Sequence, residues 1–257
     1  MSALAAGPEA VVDIAPFDLG DASARAAALC LHGLTGTPYE VRPLGEALAG
    51  AGIRAIGPVL PGHDRSAREL ASTPHTDWLE ACRRELLELR ARHAKVFVVG
   101  LSLGGLLALA LSAEEHVDAL VVVGTPLRLR PSVRWLVPLL KHVIPYPRKA
   151  AGSDIRDPVA RRRHPSLPVM PLASVHELMR LQQRVERGLS RIAAPILVAH
   201  GGHDATASLA DAHAIHARVA SAQRELLVLP DAGHVVPVDH GGPRLAAAAA
   251  SHLSRFA

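Results

Sequence analysis

Aromatic residues make up only 3% of this 257-residue chain. Ring stacking therefore cannot carry the core, which must rest on close packing of Ala, Leu and Val. No aromatic-plus-basic array offers itself to nucleic acid, so no nucleic-acid partner is expected. There are two cysteines. Cys30 ends an apolar run and Cys82 sits on an amphipathic pattern, so both read as buried thiols of a chain built for a reducing compartment, the cytoplasm. No stretch approaches the ~20 apolar residues of a membrane span, and no stable insertion is expected. Met1 to Ala10 lacks the basic patch and apolar stretch of a signal peptide. No glycine-rich phosphate loop with its lysine occurs. His200, His203 and Asp204 cluster, as do His213 and His216, but zinc needs three or four convergent ligands with supporting hydrogen bonds. No metal and no cofactor is expected.

What is present is apolar and α/β-like. Hydrophobic residues reach 49% and charged ones 20%, enough to bury one sizeable core. The net charge is +4, with much of the excess in Arg161, Arg162, Arg163 and other basic residues between about 128 and 163. A solvated arginine face is the plainer reading; transient contact with an anionic lipid surface is the other. Strand-like runs alternate with helical ones, which predicts a mostly parallel central sheet flanked by helices. Expected strands are Ala26–Leu31, Ile53–Ile56, Val96–Val99, Ala119–Val123, Ala194–Ala199 and Glu225–Leu229. Expected helices are Pro43–Gly52, Asp77–His93, Leu209–Val219 and Arg244–Phe256. From Leu127 to about Ser190 the character changes, with recurrent prolines between short apolar and arginine-rich pieces. That segment reads as a cap, or lid, inserted in a single domain spanning 1–257.

Gly100-Leu101-Ser102-Leu103-Gly104 lies between the apolar run Val96–Val99 and a helical stretch. The bare Gly-x-Ser-x-Gly pattern arises by chance in roughly one chain of this length in ten. Strand before and helix after make it a nucleophile elbow, exposing the Ser102 hydroxyl at the end of a parallel sheet. A serine needs an adjacent base, and histidine suits because it can take the proton and return it. A carboxylate must then fix the imidazole tautomer. In such a fold the order is Ser, acid, His. Asp204 follows the strand ending at Ala199, and His234 follows the strand ending at Leu229, so topology gathers all three on one sheet edge. Asp231 and Asp239 would have to fold back on His234, Asp211 falls within a helix, and Gly124-Thr125-Pro126 carries no carboxylate. Backbone N–H groups of Leu103, after the serine, and Leu34, in the loop after an early strand, are the expected oxyanion donors.

Together, His32-Gly33-Leu34-Thr35-Gly36-Thr37-Pro38, Leu60-Pro61-Gly62-His63, Asp77-Trp78, the elbow with Gly105, His203-Asp204 and Gly233-His234 resemble the α/β-hydrolase superfamily. Within it they resemble the bacterial carboxylesterase and monoacylglycerol lipase group, and the likeness covers nearly the whole chain. Asp64 and Ser208 depart from that group's glycine and proline. The resemblance implies hydrolysis of a small-molecule ester or lipid substrate through an acyl-enzyme, with the 127–190 cap over the acyl pocket. Cap residues Val133 to Ile144 and Leu167 to Met179 suit an aliphatic chain, and Leu127, Trp135, Leu167, Met170 and Met179 are the expected substrate contacts. The same three groups serve thioester, amide or carbon–carbon bond hydrolysis and acyl transfer, and the fold alone does not choose. A ligand-binding module without catalysis is the alternative from another class.

Overall fold

The apolar runs pair into one seven-stranded sheet in a computed structural model, which describes residues 12–64, 66–150 and 152–257. The Met1–Ala10 stretch read above for a targeting signal lies outside the described residues. In chain order the strands are β1 (Phe17–Leu19), β2 (Ala26–Leu31), β3 (Arg54–Gly57), β4 (Lys95–Leu101), β5 (Ala119–Val123), β6 (Ile196–Gly201) and β7 (Arg224–Leu229). Across the sheet they run β1-β3-β2-β4-β5-β6-β7. Every neighbour pair is parallel except β1 with β3. The helices are α1 (Arg42–Gly50), α2 (Ala67–Ser72), α3 (His75–Arg92), α4 (Leu103–Glu114), α5 (Pro131–Leu140), α6 (Pro158–Arg163), α7 (Leu172–Gly188), α8 (Leu209–Arg218) and α9 (Gly242–Ser254). Expected bounds shift by a residue or two. The pattern does not mark β1 or α2, which are short and lie at an edge and in a loop.

The strands read as continuous apolar runs because helices cover both faces. In β2, Ala27, Leu29 and Leu31 point into one core with α3, α4 and the second half of α7. Ala26, Ala28 and Cys30 point into the other, with α1 and α9. In β4, Val96 and Val98 divide from Phe97, Val99 and Leu101 in the same way. Leu, Val and Ala dominate both cores, each buried Leu or Val stabilising by roughly 1.5–3 kcal/mol, with Trp78 and Phe97 as large aromatic fillers. Cys30 and Cys82 are free and sit in opposite cores. Burial pushes the Cys30 thiol up to about 12 and raises that of Cys82 as well.

The segment 127–190 adds no strand to the sheet and holds α5, α6 and α7, with one isolated bridge between Arg148 and Val169. Leu181 and Val185 of α7 are fully buried in the α3–α4 core, which anchors the segment to the main body. By contrast α5 turns Trp135, Leu136 and Leu139 to solvent. Because β2, β4, β5, β6 and β7 are parallel, their carboxyl ends share one edge, where the loops after Leu31, Leu101, Val123, Gly201 and Leu229 meet.

Candidate active site

Strand β4 stops at Leu101 and α4 starts at Leu103, so Ser102 alone makes the turn. Its φ of 54° and ψ of −111° lie where a side chain is rarely tolerated, at a cost of about 1–3 kcal/mol. The turn is pinned by Ser102 N–H donating to Val123 O at 2.8 Å. Its neighbours are glycine because backbone passes where a Cβ would be. A Cβ on Gly100 would lie 2.1 Å from Gly104 O, and one on Gly104 would lie 2.0 Å from Leu31 O. At Gly105 the obstacle is the Thr125 hydroxyl. The glycine pattern is thus a packing requirement of the elbow.

His234 is buried and lines the same cavity as Ser102, and its Nδ1 lies 2.8 Å from Asp204 Oδ2. The other oxygen, Asp204 Oδ1, accepts the N–H groups of Thr206 and Ala207 at 2.8 and 2.7 Å. This leaves Oδ2 for the imidazole and fixes the proton on Nδ1, with Nε2 free to act as a base. Burial disfavours charge on His234, but the hydrogen bond and charge of Asp204, then Asp154 and Glu40, outweigh it and raise its pKa above 6.5. Burial likewise opposes ionisation of Asp204, and the His234 bond with the Ala207 N–H holds its carboxyl below the usual range. His200 Nε2 lies 3.4 Å from the same Asp204 oxygen, and burial lowers its pKa. The rival carboxylates are elsewhere. Asp231 is exposed, and Asp211 sits near Arg128 N–H. Asp239 accepts N–H bonds from Arg156, Asp157, Gly233 and His240.

The loop 32–36 passes directly over the serine, since a Cβ on Gly33 would sit 3.5 Å from Ser102 Cβ. His32 braces it. Its Nε2 accepts from Leu60 N–H at 3.1 Å, so Nδ1 carries the proton and donates to Gly33 O at 3.0 Å. The Pro61–His63 loop is held in turn by Trp78 Nε1 donating to Pro61 O. His63 packs edge-on to His32, and burial pushes its pKa down to about 3. Thr35 follows with φ of 65°, a strained value for a β-branched residue.

Ser102, His234 and Leu34 line a cavity of about 300 Å³. Its lining is apolar at Leu129, Val133, Met170, Val175 and Leu178 and polar at Glu40, Lys149, Asp154, His164 and Ser166. Leu103 is buried at the first position of α4, behind the serine. Of the five expected substrate contacts, Met170 lines this cavity and the other four do not. Leu127, Trp135 and Met179 border a separate cleft of about 380 Å³ with Arg128, Arg134 and Glu186. The reason is helical phase: Val133 points inward, and Trp135, two residues or about 200° further round, points out. Met179 is displaced by one position from the inward pair Val175 and Leu178. Leu167 packs against the α3–α4 core, and its N–H donates to Thr35 O. Glu40, Lys149 and His164 went unread, because the latter two lie in the segment without motifs and Glu40 lies beyond the loop's recognisable glycines.

The family described as serine aminopeptidase, S33, matches residues 22–240. The chain belongs to this α/β-hydrolase family. A thermostable monoacylglycerol lipase of Bacillus sp. (strain H-257) is 31% identical over 219 residues, covering 84% of this chain and 86% of that protein. A carboxylesterase of Bacillus subtilis (strain 168) is 24% identical over 214 residues, covering 83% and 86%. Among solved structures, one from the metagenome-derived lipolytic enzymes LipS and LipT aligns with a TM-score of 0.87 at 24% identity, over 94% of this chain and 97% of that one. The monoacylglycerol lipase of Paleococcus ferrophilus aligns with a TM-score of 0.79 at 19% identity, over 95% and 100%. These two likenesses concern the fold.

Proposed function

We propose that the chain hydrolyses carboxylic esters, short- to medium-chain acyl esters or monoacylglycerols, through an acyl-enzyme. The observation that carries the reading is the 2.8 Å Asp204–His234 bond, with His234 and Ser102 lining one cavity that also has apolar lining. In this mechanism His234 Nε2 takes the Ser102 proton as the hydroxyl attacks the ester carbonyl. The tetrahedral oxyanion is held by Leu34 and Leu103 N–H, the latter at the positive end of α4, each such donor contributing about 3–4 kcal/mol. The imidazolium, stabilised by Asp204, then protonates the departing alcohol. Water attacks the acyl-enzyme by the same route in reverse, with His234 as base, releasing the acid and regenerating Ser102.

Segment 127–190 acts as the cap. It supplies Leu129, Val133, Met170, Val175 and Leu178, an aliphatic wall suited to an acyl chain. Outside, exposed Trp135, Leu136, Leu139, Val143 and Ile144 stand near Arg130, Arg134 and Lys141. That combination supports transient contact with an anionic lipid surface as the source of substrate. No described helix is long and apolar enough to cross a membrane. The free buried thiols Cys30 and Cys82 fit a cytoplasmic setting. Hydrolysis rates across p-nitrophenyl esters and monoacylglycerols of increasing chain length test the reading. It expects an optimum at short to medium chains; absence of turnover on every ester would overturn it.

A further inference from the structure

Glu40 is a buried carboxylate that the hydrolytic mechanism does not use, set immediately behind the loop that crosses Ser102. Its Oε2 accepts the Gly33 N–H at 2.8 Å, and its Oε1 lies 2.9 Å from His164 Nε2. The two side chains are only 5% and 2% exposed. His164 Nδ1 is in turn 2.6 Å from Ser153 Oγ. The loop is wrapped round the carboxylate so tightly that a Cβ on Gly36 would meet it at 2.2 Å. Burial opposes ionisation of Glu40, but the hydrogen bond and charge of His164, with His32 and the Gly33 N–H, prevail and lower its pKa. An ionised carboxylate is costly to bury unless bonded. Here the Glu40–His164 bond ties residues 33–40 to residues 153–164, two segments that both line the catalytic cavity.

Thr35, two residues after Gly33, is held from residues 149–167. Leu167 N–H donates to Thr35 O at 3.1 Å, and Lys149 Nζ donates to Thr35 Oγ1 and Ser166 Oγ at 2.5 Å each. The peptide N–H of Leu34 therefore lies between Gly33, anchored through Glu40, and Thr35, anchored by the cap in a left-handed conformation. An oxyanion donor works only if its direction is fixed before charge develops, and a displacement of an ångström costs on the order of 100-fold in rate.

We propose that Glu40 and His164 are positioning residues for the oxyanion loop, locking the Leu34 N–H through the cap; this rests on the reading of Leu34 as an oxyanion donor. Neither side chain reacts with substrate. The test compares Glu40→Leu, Glu40→Gln and His164→Leu with wild type, using p-nitrophenyl butyrate and an alkyl trifluoromethyl ketone. The ketone carbonyl adds the Ser102 hydroxyl and presents a stable oxyanion. Glu40→Leu should lower kcat by about 10- to 100-fold with KM within about threefold, and weaken the ketone by the same factor. Glu40→Gln, which still accepts from Gly33, should recover to within about fivefold of wild type. His164→Leu, the second variant should Glu40→Leu fail to fold, should lose about tenfold in kcat and in ketone affinity. Variants that match wild type in kcat and ketone affinity overturn the positioning role, as does a loss that Glu40→Gln fails to recover. If wild type itself neither turns over the ester nor binds the ketone, it is the hydrolase reading that fails.

Discussion

Replacing Asp204 by asparagine keeps the shape of the acid loop and changes one proton. Asp204 Oδ1 accepts from Thr206 and Ala207 N–H, while Oδ2 accepts from His234 Nδ1. In Asp204→Asn the amide oxygen must stay with the two backbone donors, since turning it would aim N–H at N–H. The amide nitrogen then faces His234 Nδ1 as a donor. The imidazole must accept there and carry its proton on Nε2, where it can no longer receive one from Ser102. A tautomer error of this kind costs about 10⁴ in kcat, close to 5.5 kcal/mol of barrier. The pH profile moves as well. The proposed mechanism needs neutral His234, whose pKa stands above 6.5 chiefly because Asp204 outweighs its burial, so wild-type kcat/KM should rise as pH climbs through that raised value. Without the Asp204 charge the acidic limb shifts to lower pH. Rates on p-nitrophenyl butyrate from pH 5 to 9 measure both effects. A loss below about tenfold, or an acidic limb unmoved in the variant, would refute the reasoning.

Four more substitutions probe separate parts of the molecule. Gly104→Ala places a Cβ 2.0 Å from Leu31 O, and urea denaturation should show a loss of about 3 kcal/mol or more if the elbow's packing is as tight as stated. Asp239→Ala removes the acceptor of four backbone N–H groups and should cost about 2–4 kcal/mol near neutral pH. The lowered pKa of Asp239 puts its stabilisation above pH 3.8 and loses it as pH falls through the folded value, so variant and wild type should converge in acid. Leu129→Trp, inside the catalytic cavity, should move the ester optimum to shorter chains, whereas Trp135→Ala, outside it, should leave the ranking of soluble esters unchanged.

The sheet was legible because its strands are buried on both faces and therefore apolar throughout, as in Val96–Val99 and Ala119–Val123. The elbow was legible because glycine is the one residue that fits where Gly104 meets Leu31 O, so its physics is written in residue type. Asp204 and His234 followed from topology, as loops after parallel strands must share an edge. Segment 127–190 was not legible in the same way. Which of its apolar residues face the cavity depends on the phase of α5 and α7, and a shift of one position separates Leu178 from Met179. Glu40 was invisible for a different reason: its role comes from a bond to His164, 124 residues away. The edge strand β1 is three residues long and carries no alternation to read.

The proposed hydrolysis stands on Ser102 as the nucleophile. Treating the protein with a fluorophosphonate probe and locating the adduct by peptide mass spectrometry tests it directly. One adduct is expected, on Ser102, its formation slowed by a competing ester, with neither adduct nor ester turnover in Ser102→Ala. An adduct on another residue, or turnover that survives in Ser102→Ala, would contradict it.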